Sequence, residues 1–175
     1  KLSPQIELKR SSVYLVSNRV NSEVIDYATD PRVNTLFDDP SACQYISKEV
    51  TLENPAASIK IIVDAHIPTD ADIRAFYAIN SDPGFEPIFE PFPGYLNLDV
   101  NGKVINEENN DGRSDIRVPT SVKRGFGPSD TDFAEHVFSI DDLPNFRSYR
   151  IKIVMTSTSQ ELVPQMRNLR VIALA

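Results

Sequence analysis

The residues with the most chemistry per position lie in NEENNDG, 106–112, a run of oxygen-bearing side chains. Calcium takes six to eight oxygens, so Glu107, Glu108 and Asp111 are the natural candidates to hold one. The run does not follow the calcium-loop template, because its Gly is displaced and no Glu closes it. The simpler reading is a solvated acidic loop, and no metal or cofactor is expected. Asp141 and Asp142 form a second carboxylate pair, but they precede Leu-Pro, where a turn uses such residues. A glycan-cleaving enzyme would need two carboxyls about 5 to 9.5 Å apart across a cleft. Its candidates would come from Asp99, Glu107, Glu108, Asp111, Asp115, Asp141 and Asp142.

The two histidines, His66 and His136, lack the Cys and carboxylate spacing of a zinc site. Cys43 is the sole cysteine, so no disulfide framework forms within the chain, and no nucleophile signature surrounds it. No phosphate-cradling Gly loop occurs, and six glycines are few for a nucleotide enzyme. These readings converge on a protein that is not an enzyme. The aromatic residues Phe85, Phe89, Phe92 and Tyr95 cluster in a Pro-spaced stretch. At that spacing they read first as a satellite core under a loop. Exposed instead, Phe89, Phe92, Tyr95 and Phe126 would form a platform on which sugar rings stack.

The elements that must carry these residues are strands. In SIKIIVDAHI, Ile59, Ile61, Val63, Ala65 and Ile67 share one face, and Lys60, Asp64 and His66 share the other. DIRAFYAI, 72–79, repeats the alternation with Ile73, Ala75, Tyr77 and Ile79 inward. The short PTDA link predicts that these two strands pair as antiparallel neighbours. YISKEVTL, 45–52, reads as one strand with Ile46, Val50 and Leu52 on a face. Further strands are expected at 12–18, 136–140, 149–157 and 169–175. DPRVNTLFDD, 30–39, holds at most a turn of helix. Asn101-Gly102 marks a hairpin turn. The 13 prolines fall between the strands. The expected fold is all-β, an antiparallel β-sandwich or jelly roll, with a long irregular insertion around residues 80–135.

The chain has 175 residues, the size of one domain, and 41% of them are apolar, enough for a core of its own. One sandwich domain over 1–175 is expected, as the C-terminal part of a longer chain. A net charge of −7 leaves no cationic surplus to displace phosphate counterions, so no nucleic acid partner is expected. No apolar run reaches the roughly 18 residues of a membrane span, so no membrane partner is expected.

LSPQIELKRSSVYLVSNRV, YISKEVTLENPAASIKIIVDAHIPTDADIRAFYAI and FRSYRIKIVMTSTSQELVPQMRNLRVIALA together resemble domains of virion structural proteins from contractile-tailed phages. The likeness is to the T-even-like group, especially its marine cyanobacterial members. It runs over nearly the whole chain and is weakest over 80–135. It implies a tail or baseplate component located in the virion, with other tail proteins or copies of itself as partners, an oligomer and no catalytic residues. Within this reading Arg150, Lys152, Arg167 and Arg170 form a basic surface that docks an acidic neighbour, or else a solvated face with edge-protecting charges. The alternative partner is a host surface glycan, bound by a jelly-roll module through the aromatic platform.

Overall fold

The computed structural model describes residues 29–41, 43–68, 71–80, 85–95, 108–109, 112, 133–157 and 162–175. The expected strand at 12–18 and the Asn101-Gly102 turn lie outside them. Among the described residues there is no α-helix. One 3-10 turn, Pro31–Asn34, opens the described chain. Asp30 caps it by accepting from the Arg32 amide at 3.0 Å, and Pro31 fills the first position, where no amide is needed.

Among the described residues ten strands follow: β1 Cys43–Ile46, β2 Val50–Ala56, β3 Ser58–His66, β4 Ala71–Ile79, β5 Glu90–Pro91, β6 Gly94–Tyr95, β7 Glu108–Asn109, β8 Ala134–Ile140, β9 Phe146–Ser157 and β10 Gln165–Leu174. They build two main antiparallel sheets. The larger runs β1-β9-β4-β5, with β2 also on the β1 side of β9. The smaller runs β10-β3-β8, and β6 pairs with β7 separately. The two main sheets stack face to face as a β-sandwich.

The expected alternation is present on β3, where Ile59, Ile61, Val63 and Ala65 are buried and the residues between them are half-exposed. These side chains meet Ile73, Ala75 and Tyr77 of β4 and Tyr149, Ile151 and Ile153 of β9 in the main core. Phe92 bridges the sheets, edge-on to Tyr77 of β4 at 5.2 Å and to Phe138 of β8 at 6.2 Å.

Two strand expectations are corrected. β3 and β4 are not neighbours. The link after β3 crosses from one sheet to the other, so their apolar faces meet across the core instead of lying side by side. A short link suits either arrangement, because neighbouring strands and facing strands are both about 10 Å apart or closer. The stretch 45–52 is not one strand either. Residues 47–49 interrupt it, and β1 and β2 pair with successive parts of β9. Ile46 then packs on the outer side of the larger sheet, Leu52 packs on the main core, and Val50 is exposed.

Residues 85–95 belong to the packed structure. Ala75 donates its amide to the Gly112 carbonyl at 2.8 Å. Gly112 donates to Phe92 at 3.0 Å, and Phe92 donates back to Ala75 at 3.0 Å. Gly112 has φ +79°, and a Cβ there would lie 2.8 Å from the Ala75 carbonyl oxygen, so this close approach requires glycine.

Candidate functional site

The two sheets differ in what lies outside them. On the larger sheet, the outward residues of β4 and β9 include three buried apolar ones, Phe76, Ala78 and Val154, beside Arg74, Arg150 and Lys152. Two segments from outside the sheet cover these apolar residues. Val33 comes from the 3-10 turn and Leu36 from the stretch just after it, and Phe89 comes from the stretch before β5. The segments run side by side. Phe89 donates its amide to the Asn34 carbonyl at 2.8 Å, and Glu86 Oε1 accepts from the amides of Leu36 at 2.5 Å and Phe37 at 3.1 Å. We call this two-segment cover the lid.

Lys152 of β9 anchors the lid. Its side chain is fully buried, as is that of Asp39, and the two form an ion pair. Lys152 Nζ donates to the carbonyls of Val33 at 2.6 Å and Thr35 at 3.0 Å. It lies 5.4 Å from the Phe76 ring centre and 5.3 Å from that of Phe89. Burial lowers the Lys152 pKa. The hydrogen bond and charge of Asp39 and the charge of Glu86 oppose that shift. Asp39 is itself held in place by accepting from the Ser41 amide at 2.8 Å. The ammonium is therefore fully engaged, and its work is to tie the lid down.

Above this layer three large apolar side chains stand in solvent. Phe37, Phe85 and Ile88 are 79%, 77% and 75% exposed. They flank the Glu86 carboxylate that joins the two lid segments, so they form one patch. The exposed carboxylates of Asp38 and Glu86 edge it. The cations nearby are matched: Arg32 bridges Asp30 at 2.7 Å, Arg150 faces Glu49 at 3.6 Å, and Lys152 holds Asp39.

The outer face of the smaller sheet has no such cover among the described residues. Cross-strand register places Arg167, Arg170, Ile172 and Leu174 of β10 on the same side as Lys60, Ile62, Asp64 and His66 of β3, away from the core. Arg167 stacks on Phe133 at 4.1 Å and faces Asp64 at 3.8 Å. Arg170 reaches over β3 to Glu135 of β8 at 3.1 Å. Ile172 and Leu174 are 40% and 49% exposed. A bulge interrupts β10 between Arg167 and Arg170. Asn168 there takes φ +54° and donates to Asp64 at 2.7 Å.

The sequence-based candidates sort accordingly. Phe89 and Phe92 are fully buried, so neither presents a face to a sugar. Phe89 packs under the lid and Phe92 between the sheets, which is the satellite-core reading. The Tyr95 side chain and Phe126 lie outside the described residues. Among the described residues the exposed ring of that cluster is Phe85, joined by Phe37 and Ile88, which periodicity had no means of selecting.

The basic quartet does not form one surface. Arg150 and Lys152 point outward from the larger sheet, whereas Arg167 and Arg170 point outward from the smaller one. Lys152 cannot dock a neighbour, because the lid buries it completely.

Of the acidic run, Glu107 and Asp111 lie outside the described residues, and Glu108 is described only through its pairing with Tyr95. Asp99 and Asp115 also lie outside. Asp141 and Asp142 are exposed in the turn after β8, where Asp142 has φ +59°. Among the described residues no group of His, Cys, Asp and Glu is arranged to hold a metal ion. No helix among them is long and apolar enough to cross a membrane.

His136 faces inward on β8. Its burial lowers the pKa to about 4, with the charge of Asp72 pulling the other way. Cys43 opens β1, and partial burial raises its thiol pKa, the reverse of an activated nucleophile.

Fold and site together define an antiparallel β-sandwich with one lidded outer face and, among the described residues, one outer face without such a cover. No protein-family model matches the chain, and neither does any curated protein or solved structure.

Proposed function

We propose that this chain is a structural module of a phage virion, a tail or baseplate component that acts through protein–protein assembly and not through catalysis. The segment resemblance supports the particle. The observation that supports assembly is the patch of Phe37, Phe85 and Ile88 on the lid. Large apolar side chains held this far into solvent are costly to a lone protein and are characteristic of interaction surfaces. Aromatic anchors dominate binding energy, and burying each such side chain contributes about 1.5–3 kcal/mol. The buried ion pair beneath holds the patch in one geometry, so little ordering cost remains at docking.

Immunogold electron microscopy tests the reading, with antibody against this domain applied to purified phage particles that encode the sequence. Label at the tail or its base is expected. Particles without label would overturn it. A second reading rests on the same rings: Phe37 and Phe85, beside Asp38 and Glu86, also offer stacking faces and acceptors to a host surface glycan. A glycan array separates the two, because a virion assembly surface retains no sugar and a recognition module does.

A further inference from the structure

The pair that anchors the lid is arranged to become a covalent bond. The side chains of Lys152 and Asp39 are fully buried, and Nζ touches Oδ2. The contact has the range of a hydrogen bond but not its angles, so Oδ2 accepts no hydrogen bond among the described residues. Two other groups place Nζ. It donates to the carbonyls of Val33 at 2.6 Å and Thr35 at 3.0 Å. An ammonium has a third N–H to give. A neutral amine has two, and these carbonyls take both. Its lone pair then occupies the position left over, on the side of the Asp39 carboxyl.

That carboxyl is set up for attack. Its Oδ1 accepts from the Ser41 amide at 2.8 Å. A donor fixed there stabilises the negative charge that develops on this oxygen when a nucleophile adds to Cγ. Oδ2 carries no such bond and is the oxygen that can leave. The surroundings favour the reaction too. The rings of Phe76 and Phe89 flank Nζ at 5.4 and 5.3 Å. Keeping both charges in so apolar a place costs their hydration, and a neutral product removes that cost. Burial pulls the Lys152 pKa down towards the amine form, against the opposing influence of Asp39 and Glu86. Groups held in contact reach effective molarities of about 10⁵–10⁸ M, and exclusion of water disfavours hydrolysis of what they form.

We propose that Lys152 and Asp39 condense into an intramolecular isopeptide bond. One proton passes from the ammonium to Oδ2. The amine lone pair forms the Nζ–Cγ bond, the Cγ–Oδ2 bond breaks, and Oδ2 leaves as water with that proton and one more from Nζ. The products are one amide and one water. Nothing is oxidised or reduced, and no co-reactant is needed. The amide oxygen keeps the Ser41 amide, and its remaining N–H keeps one of the two carbonyls. The bond staples the lid to β9, between β1 and β4 in the larger sheet. It also closes the chain between the two residues into a loop, which takes entropy from the unfolded state as a disulfide does. The chain obtains a covalent tie without using its single cysteine.

The test is the intact mass of the purified chain, kept at neutral pH until the mass is constant, followed by trypsin digestion. Circular dichroism checks that the chain is folded. A mass one water below that of the sequence is expected. Trypsin should release a branched peptide joining 33–48 to 151–167, because it does not cut after an acylated lysine. Lys152→Arg and Asp39→Ala should each keep the full mass and yield no branched peptide. The unaltered chain decides the matter by itself if a variant does not fold. Full mass in the folded, unaltered chain would overturn the proposal. So would a one-water deficit that fragmentation places on a dehydrated Asp elsewhere. Particle labelling is independent of this mass, so the isopeptide bond and the phage assignment fail separately.

Discussion

The outer faces of the two sheets are built from the same alternating strands, yet among the described residues one carries a second core and the other carries none. On β9, Arg150, Lys152 and Val154 occupy outward positions, as Lys60, Ile62 and Asp64 do on β3. Lys60 and Asp64 meet solvent. Lys152 is fully buried. The difference lies in two segments, 33–39 well upstream of both strands and 85–89 just past the end of β4, that fold over β4 and β9. A charged side chain at an outward position is solvated or structural according to what crosses above it. Once covered, it must be paired.

Removing the pairing should break the contrast most. Lys152→Met leaves Asp39 buried without its counter-charge and the Val33 and Thr35 carbonyls without their donor. A loss of about 3–5 kcal/mol is expected in urea denaturation. Hydrogen exchange should report early opening of residues 33–39 and leave β3 and β10 protected. A global loss without local opening would show that the ion pair supports the sandwich as a whole.

Two phenylalanines of the lid face opposite ways and sharpen the same point. Phe89→Ala should cost about 3–5 kcal/mol through the cavity it leaves against Phe76 and Val154. Phe37→Ser should change stability by no more than about 0.5 kcal/mol, because its ring is already in water. Equal losses, measured by thermal unfolding, would contradict the exposed patch.

The inward side of the smaller sheet carries a pH dependence. Burial keeps His136 neutral in the folded chain down to about pH 4, whereas the unfolded chain binds the proton near 6.5. The unfolded state binds more protons between those values. Stability from this residue is therefore full above pH 6.5 and declines as pH falls towards 4. The loss attributable to it is about 3 kcal/mol at most. His136→Leu should flatten the stability difference between pH 7 and pH 4 by that amount. An unchanged profile would place the acid sensitivity elsewhere.

The smallest effect is expected on the open face. Arg170→Ala should cost less than about 1 kcal/mol, because its pair with Glu135 is exposed. A larger loss would mean that this face is held as firmly as the lidded one.

Much of the sandwich can be read from side-chain period alone. Ile59, Ile61, Val63 and Ala65 alternate with polar residues, and strand geometry turns that alternation into a buried face whatever the neighbours are. The same holds for Ile151 and Ile153 of β9, and the low helical periodicity sets the fold class. Asp30-Pro31 marks the 3-10 turn by local capping chemistry. None of this depends on distant contacts.

What period two cannot carry is the identity of the partner. Ile73, Ala75 and Tyr77 must be buried, but the alternation is equally satisfied by pairing β4 beside β3 or by facing it across the core, and the tertiary structure chose the second. Nor does alternation say whether the polar-looking side of a strand stays wet. Phe76 and Ala78 on β4 point to a partly apolar outer side, although Asp72 and Arg74 share it, but the cover itself comes from 33–39, well upstream, and from 85–89, after the strand has ended. That cover buries Phe89 and Lys152 and leaves Phe37, Phe85 and Ile88 in solvent. Sequence determined which side chains lie on which side of each strand, because backbone geometry makes that local. Only tertiary packing decided which sides meet water, because burial depends on whatever remote segment arrives there.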